Sequence, residues 1–152
     1  MQTAINILKQ AGLKSTSSRL GVVSVLAQNS SPLTHQDLLK KLPENFDRVT
    51  LYRVLDWLLQ QQLIHRVAGD DRAWRFQINN VTNNRFKQPL LPNKSPKQIL
   101  NQHSHAHFQC SACGKIFCLD DIQPKLNHNI PEHFTVDSIE LNIKGICPNC
   151  QA

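Results

Sequence analysis

Two cysteine pairs, Cys110-Ser-Ala-Cys113 and Cys147-Pro-Asn-Cys150, hold four of the five cysteines in this 152-residue chain. Each C-x-x-C turn offers two sulfurs to one ion, and four thiolates complete a tetrahedral zinc site with no position left for water. Such an ion stabilises a fold and does no chemistry. The competing reading, two redox pairs, needs each motif to open a helix in a βαβ unit, and neither does. Just before the first pair, His103, His105 and His107 alternate along the chain, which puts three imidazoles on one face of a strand entering Cys110. The cysteine site does not need them, so they are candidates for a second ion; the alternative is a polar strand face. The fifth cysteine, Cys118, is either an inert buried thiol or a further ligand, and His65 stands alone in its segment.

A second group of residues suits nucleic acid. Arg48, Thr50, Tyr52 and Arg53 fall within one helical turn and a half. Arginine donates two hydrogen bonds to guanine, tyrosine packs on thymine methyls and threonine reaches a phosphate oxygen. Arg19 is a candidate phosphate clamp. The bland alternative is a solvated basic face with Tyr52 at the edge of a core.

These residues need elements to position them. Ile5, Ile7 and Leu8 suggest a short helix ending near Gly12, and Thr16 can cap a second helix carrying Leu20, Val23 and Leu26 inward. Thr34 and Asp37 form a capping-box-like start for a third helix bearing Leu38, Leu39 and Leu42, which stops at Pro43. Asp47 can cap a fourth. There Leu51, Val54, Leu55 and Leu58 share one stripe, so Val49, Tyr52, Arg53 and Asp56 point the other way. Residues 63–67 read as a strand, Gly69 to Asp71 as a turn and Ala73 to Ile78 as the returning strand. Helices followed by a two-stranded ribbon make a winged helix-turn-helix, whose second helix enters the major groove.

Composition bounds the rest. Hydrophobic residues are 40% and charged residues 18%, which excludes an acidic disordered chain and a coiled coil, and no apolar run is long enough to span a membrane. The opening MQTAINILKQ lacks the basic and apolar segments of a secretory signal, so a cytoplasmic location is expected. The net charge of +6 is uneven: residues 1–80 carry ten basic and six acidic residues, 81–109 four and none, and 110–152 three and five. Basic charge thus accumulates where a polyanion would be read. Residues 79–102 hold six Asn and three Pro, a linker-like composition. The expected organisation is α+β: a winged-helix domain over 1–80, a linker over 81–102, and a small zinc-containing α/β domain over 103–152.

In this order the pieces resemble the ferric-uptake-regulator superfamily of metal-responsive bacterial repressors. The matching stretches are TSSR at 16–19 (family TPQR), TLYRVL at 50–55 (TVYRxL), QLIHR at 62–66 (GLIxR), HAHFQCSACG at 105–114 (HxHxxCxxCG) and the closing CPNC. They span most of the chain. The resemblance implies a C-terminal dimerisation domain of strands and a helix, structural Zn2+ on Cys110, Cys113, Cys147 and Cys150, and a regulatory metal between domains. It also implies a homodimer on a palindromic double-stranded DNA operator, with repression following metal loading.

Departures from the family pattern narrow the metal. His105 and His107 match two regulatory-ligand positions, whereas His65 and His103 match positions used in the zinc-sensing branch. Cys118 replaces a usual acidic ligand, and no Asp or Glu occurs from Arg72 to Leu119. Imidazoles with a thiolate lean toward zinc. The expectation is a second, regulatory Zn2+ on His65, His103, His105 and Cys118, with His107 as an alternative. Competing expectations are a relative that keeps only structural zinc, and a redox- or peroxide-responsive regulator. A zinc deaminase is excluded because no His is followed two residues later by Glu.

Overall fold

The computed structural model describes residues 2–79, 105–135 and 139–151. The expected linker and His103 lie outside the described residues. The chain divides into two compact units, Met1–Phe86 and Lys87–Ala152.

The first unit begins with helices α1 (Gln2–Gln10) and α2 (Ser17–Ala27), continues with a short strand β1 (Leu33–Thr34), helices α3 (His35–Lys41) and α4 (Arg48–Gln60), and ends with strands β2 (Ile64–Ala68) and β3 (Trp74–Ile78). The helix starts are set by side chains that accept otherwise unpaired backbone N–H groups. Thr16 accepts from Arg19 N, Asp47 accepts from Thr50 N, and Thr34 with Asp37 completes a reciprocal capping box. Helix α1 stops where Gly12 turns left-handed at φ +68°, with Leu13 N bonded to Leu8 O and Gly12 N to Lys9 O.

Leu8, Val22, Val23, Leu26, Leu38, Leu51, Leu55 and Leu58 are all almost fully buried and form one core with Phe76 and Leu63. The α4 stripe reads as expected: Leu51, Val54, Leu55 and Leu58 face in, while Val49 and Tyr52 stay more than half exposed. In α1 the inward residues are Ala4 and Leu8, and Ile5 is turned outward. The wing is a three-stranded sheet ordered β1-β3-β2, one strand more than the expected ribbon. Thr34 both pairs with Arg75 and caps α3, so the added strand is only two residues long and leaves no alternation to read.

The second unit holds β4 (Ala106–Cys110), β5 (Ile116–Leu119) and β6 (Leu141–Gly145), ordered β5-β4-β6, with β4 antiparallel to β5 and parallel to β6. A 3-10 turn, Pro148–Cys150, closes it. Among the described residues this unit contains no α-helix, although the resemblance implies one. Between β5 and β6, Pro124 and Pro131 interrupt a segment also rich in Asn and His, and both features oppose helix. Among the described residues no helix is long and apolar enough to cross a membrane.

Candidate metal centres and nucleic-acid interface

The parallel pairing of β4 and β6 brings their C-terminal ends together, with Cys110 opposite Gly145. Each strand then runs into a C-x-x-C turn. At the first, Gly114 N bonds to Cys110 O, and Gly114 takes a left-handed φ of +70° before β5 returns. At the second, Cys150 N bonds to Cys147 O. The four Sγ atoms lie within 4.8 Å of one another. Cys113 and Cys147 are 3.9 Å apart, close to the roughly 3.8 Å edge of a tetrahedron with zinc–sulfur bonds of about 2.3 Å.

The backbone N–H groups of Cys113 and then Cys147 hold the Cys110 thiol down at about 6. Its Sγ accepts from Cys147 N at 3.3 Å. The Cys150 thiol is pushed up to about 12 by its contacts with the Cys147 and Cys113 sulfurs. Four crowded sulfurs cannot all ionise without a cation, and a dication supplies that charge. The donor set and spacing therefore fit a closed zinc site.

On the same strand, His107 faces Cys118 across the β4–β5 register. The rings of His105 and His107 are 4.8 Å apart, and the donor atoms of His105, His107 and Cys118 lie within 4.8 Å of one another. The strand is covered on both faces there: Ala106 and His107 are both buried, so simple alternation of polar and apolar faces does not hold. Burial, and then the neighbouring His105, hold the His107 imidazole down at about 4. Burial, and then Asp120, push the Cys118 thiol up to about 12. Asp120 Oδ1 lies 3.5 Å from His105 Nδ1, where it can orient the ring. Two imidazoles and a thiol form a soft donor set suited to zinc, whose binding would displace the thiol proton.

His65 lies on β2 in the first unit and is buried. Its Nδ1 is 2.6 Å from Asn79 Oδ1.

The nucleic-acid candidates divide by what they touch. Arg48 and Arg53 are exposed on α4. Tyr52 is 52% exposed, and its ring leans on His35 of α3 at 4.3 Å between centroids, with His35 set edge-on to Phe76 on the other side. Burial lowers the pKa of His35, partly offset by Asp56. Thr50 donates its hydroxyl to Asp47 Oδ2, so it belongs to the cap of α4 as well as to the candidate surface. Arg19 lies 3.5 Å over the ring of Trp57 on α4, and its Nη1 donates to Lys14 O. That stacking fixes a flexible side chain in one orientation. At the wing tip Asp71 accepts two hydrogen bonds from Arg75, which hold its carboxyl down at about 2.

Sequence reasoning missed His35, Trp57, Asn79 and Asp120. All four act by touching a singled-out residue at least fourteen positions away. The Thr34–Asp37 cap, which fixes where α3 begins, was the one signal near His35.

Residues 10–88, just over half the chain, match the sequence profile of the ferric uptake regulator family. The peroxide-responsive repressor PerR of Staphylococcus aureus is 24% identical over 99% of this chain and 91% of its own length. Among solved structures, a zinc uptake regulator complexed with zinc and DNA aligns with a TM-score of 0.62 at 20% identity, covering 99% of this chain and 91% of that one. The ferric uptake regulator of Helicobacter pylori aligns with a TM-score of 0.54 at 19% identity, covering 99% and 93%. The family comprises metal-responsive transcription regulators that bind DNA operators as dimers and are not enzymes. With a winged helix presenting α4 and a second unit built around a four-cysteine cluster, the chain belongs to the ferric uptake regulator family.

Proposed function

We propose that this regulator is a zinc-responsive repressor that binds a palindromic operator as a homodimer in the cytoplasm. Cys110, Cys113, Cys147 and Cys150 hold a structural zinc, and His105, His107 and Cys118 hold a regulatory one. The observation that carries the reading is the convergence of two imidazoles and a thiol on adjacent strands. A soft set of this kind favours zinc over manganese or iron(II), which take carboxylates readily. His107, first an alternative, becomes a principal ligand because it faces Cys118 in register. His65 is assigned to the same ion on the resemblance to the zinc-sensing branch, and His103 remains a candidate on the same ground.

When bound, the regulatory ion supplies a cross-link that favours the DNA-competent arrangement of the dimer, a shift in population rather than a new contact with DNA. The chain's own residues do the reading. Arg48 and Arg53 address base edges, Tyr52 packs on thymine methyls, and Arg19 clamps a phosphate from its seat on Trp57. Thr50 completes the helix start.

Metal titration tests the proposal. The expected result is two tight zinc equivalents per chain, the second raising operator affinity. One tight equivalent, with operator affinity indifferent to further zinc, contradicts it. A peroxide response is the second reading, favoured by the full-length similarity to the staphylococcal peroxide-responsive repressor. Release of operator DNA by hydrogen peroxide, abolished in Cys118→Ser, would establish it.

A further inference from the structure

The C-terminal end of α4 is left-handed without a glycine. Gln62 takes φ +57°, with its N bonded to Leu59 O and Leu63 N bonded to Leu58 O, so the helix closes in the same kind of turn that ends α1. The carbonyl of Gln62 is then directed just past the end of β3, where Asn79 Nδ2 donates to it at 2.6 Å. Asn79 is held a second time by its own backbone, whose N donates to Leu63 O at 3.0 Å. Because the amide nitrogen of Asn79 is spent on Gln62, its Oδ1 must be the atom facing His65 Nδ1 at 2.6 Å. A carbonyl oxygen can only accept, so Nδ1 carries the proton and Nε2 carries the lone pair.

We propose that Asn79 is a positioning residue for metal capture: it fixes His65 in the tautomer that presents Nε2 to an ion and ties that imidazole to the end of the recognition helix α4. The inference rests on the reading of His65 as a ligand of the regulatory zinc. Metal-bound histidines are commonly oriented by an acceptor on the second ring nitrogen, and loss of that acceptor typically weakens binding about 10–100-fold. Here the acceptor is shared with the helix end. An ion on Nε2 would polarise Nδ1–H, tighten its bond to Asn79 and so bear on the Gln62 carbonyl in the turn that follows α4. His65 lies three residues beyond Gln62, so the tie joins the helix that reads DNA to the strand that follows it.

Two substitutions separate the parts of the proposal. Asn79→Ala removes both bonds, whereas Asn79→Asp keeps an acceptor for Nδ1–H and loses the donor to Gln62. In full-length dimer with the four-cysteine site filled, chelator competition should show the second zinc weakened about 10–100-fold in Asn79→Ala and near wild type in Asn79→Asp. Asn79→Asp should nevertheless lose at least three-fold of the zinc-induced gain in operator affinity. Nitrogen NMR of metal-free wild-type protein should find His65 protonated at Nδ1, a readout that needs no variant to fold. An Nε2-protonated His65 overturns the proposal, as does wild-type zinc affinity in Asn79→Ala when His65→Ala loses it, or a full zinc-induced gain in Asn79→Asp. Tight second-site zinc in His65→Ala removes the reading of His65 as a ligand, and the proposal falls with it.

Discussion

Tyr52 presents its ring to solvent from α4 because His35 supports it from beneath, while Phe76 holds His35 edge-on. The arrangement gives His35 a second consequence. Burial lowers its pKa, so between the unfolded and folded values the unfolded chain binds more protons and the folded state loses stability as pH falls. Replacing His35 with Gln should therefore flatten the decline of Tm below the ordinary histidine range, and an unchanged slope would show that His35 does not contribute. Arg53→Ala should weaken operator binding by about 1–3 kcal/mol and relax preference at one base pair, whereas Arg19→Ala should weaken all sequences alike and reduce the salt dependence. Binding to a panel of single-base operator variants, repeated at two salt concentrations, separates the two roles. The chemistry of Cys110, Cys113, Cys147 and Cys150 was legible because two turns of fixed spacing state the donor set outright. His35, Trp57 and Asn79 were not, since their roles arise only when α3, α4, β2 and β3 are packed together.

At the scale of elements, the helix starts were written in single side chains. Thr16, Thr34 and Asp47 each cap the helix that follows, and a local hydrogen bond three residues long needs no tertiary context. The stop of α4 was harder to see because Gln62 occupies a left-handed position where glycine is usual. Gln62→Gly should relieve that strain and stabilise the first unit by about 1 kcal/mol, read from chemical denaturation. Gly114→Ala should do the reverse at the first cysteine turn: a methyl there meets nothing within 4 Å, so its cost is backbone strain of about 1–2 kcal/mol. The strand β1 escaped notice because two residues carry no period, and the C-terminal sheet mixes parallel and antiparallel neighbours, with no alternation of burial along β4 or β5.

For the whole molecule, the basic charge lies in the first unit and in the segment that follows it, which suits a DNA-facing head, and the region around the cysteines is slightly acidic. Among its described residues the second unit has few buried apolar side chains beyond Ala106 and Ile116, and its four-cysteine site stands in for such a core. Cys147→Ala should abolish the structural zinc and unfold this unit, detected as loss of both zinc equivalents while the first unit, with its own core, still melts cooperatively. Ile122, Leu126, Ile130 and Phe134 are all exposed in the irregular segment between β5 and β6, apolar side chains that suit the partner copy of a dimer. Leu126→Asp should shift sedimentation toward monomer with the structural zinc retained. The central claim, that the donors on β4 and β5 gate DNA binding, is tested most directly by measuring operator affinity against zinc occupancy in wild type and in His107→Ala. The account predicts at least a ten-fold gain as the wild-type second equivalent binds, and neither second zinc nor gain in His107→Ala with the first zinc intact. Full affinity at one zinc per chain, unchanged by His107→Ala, would contradict it.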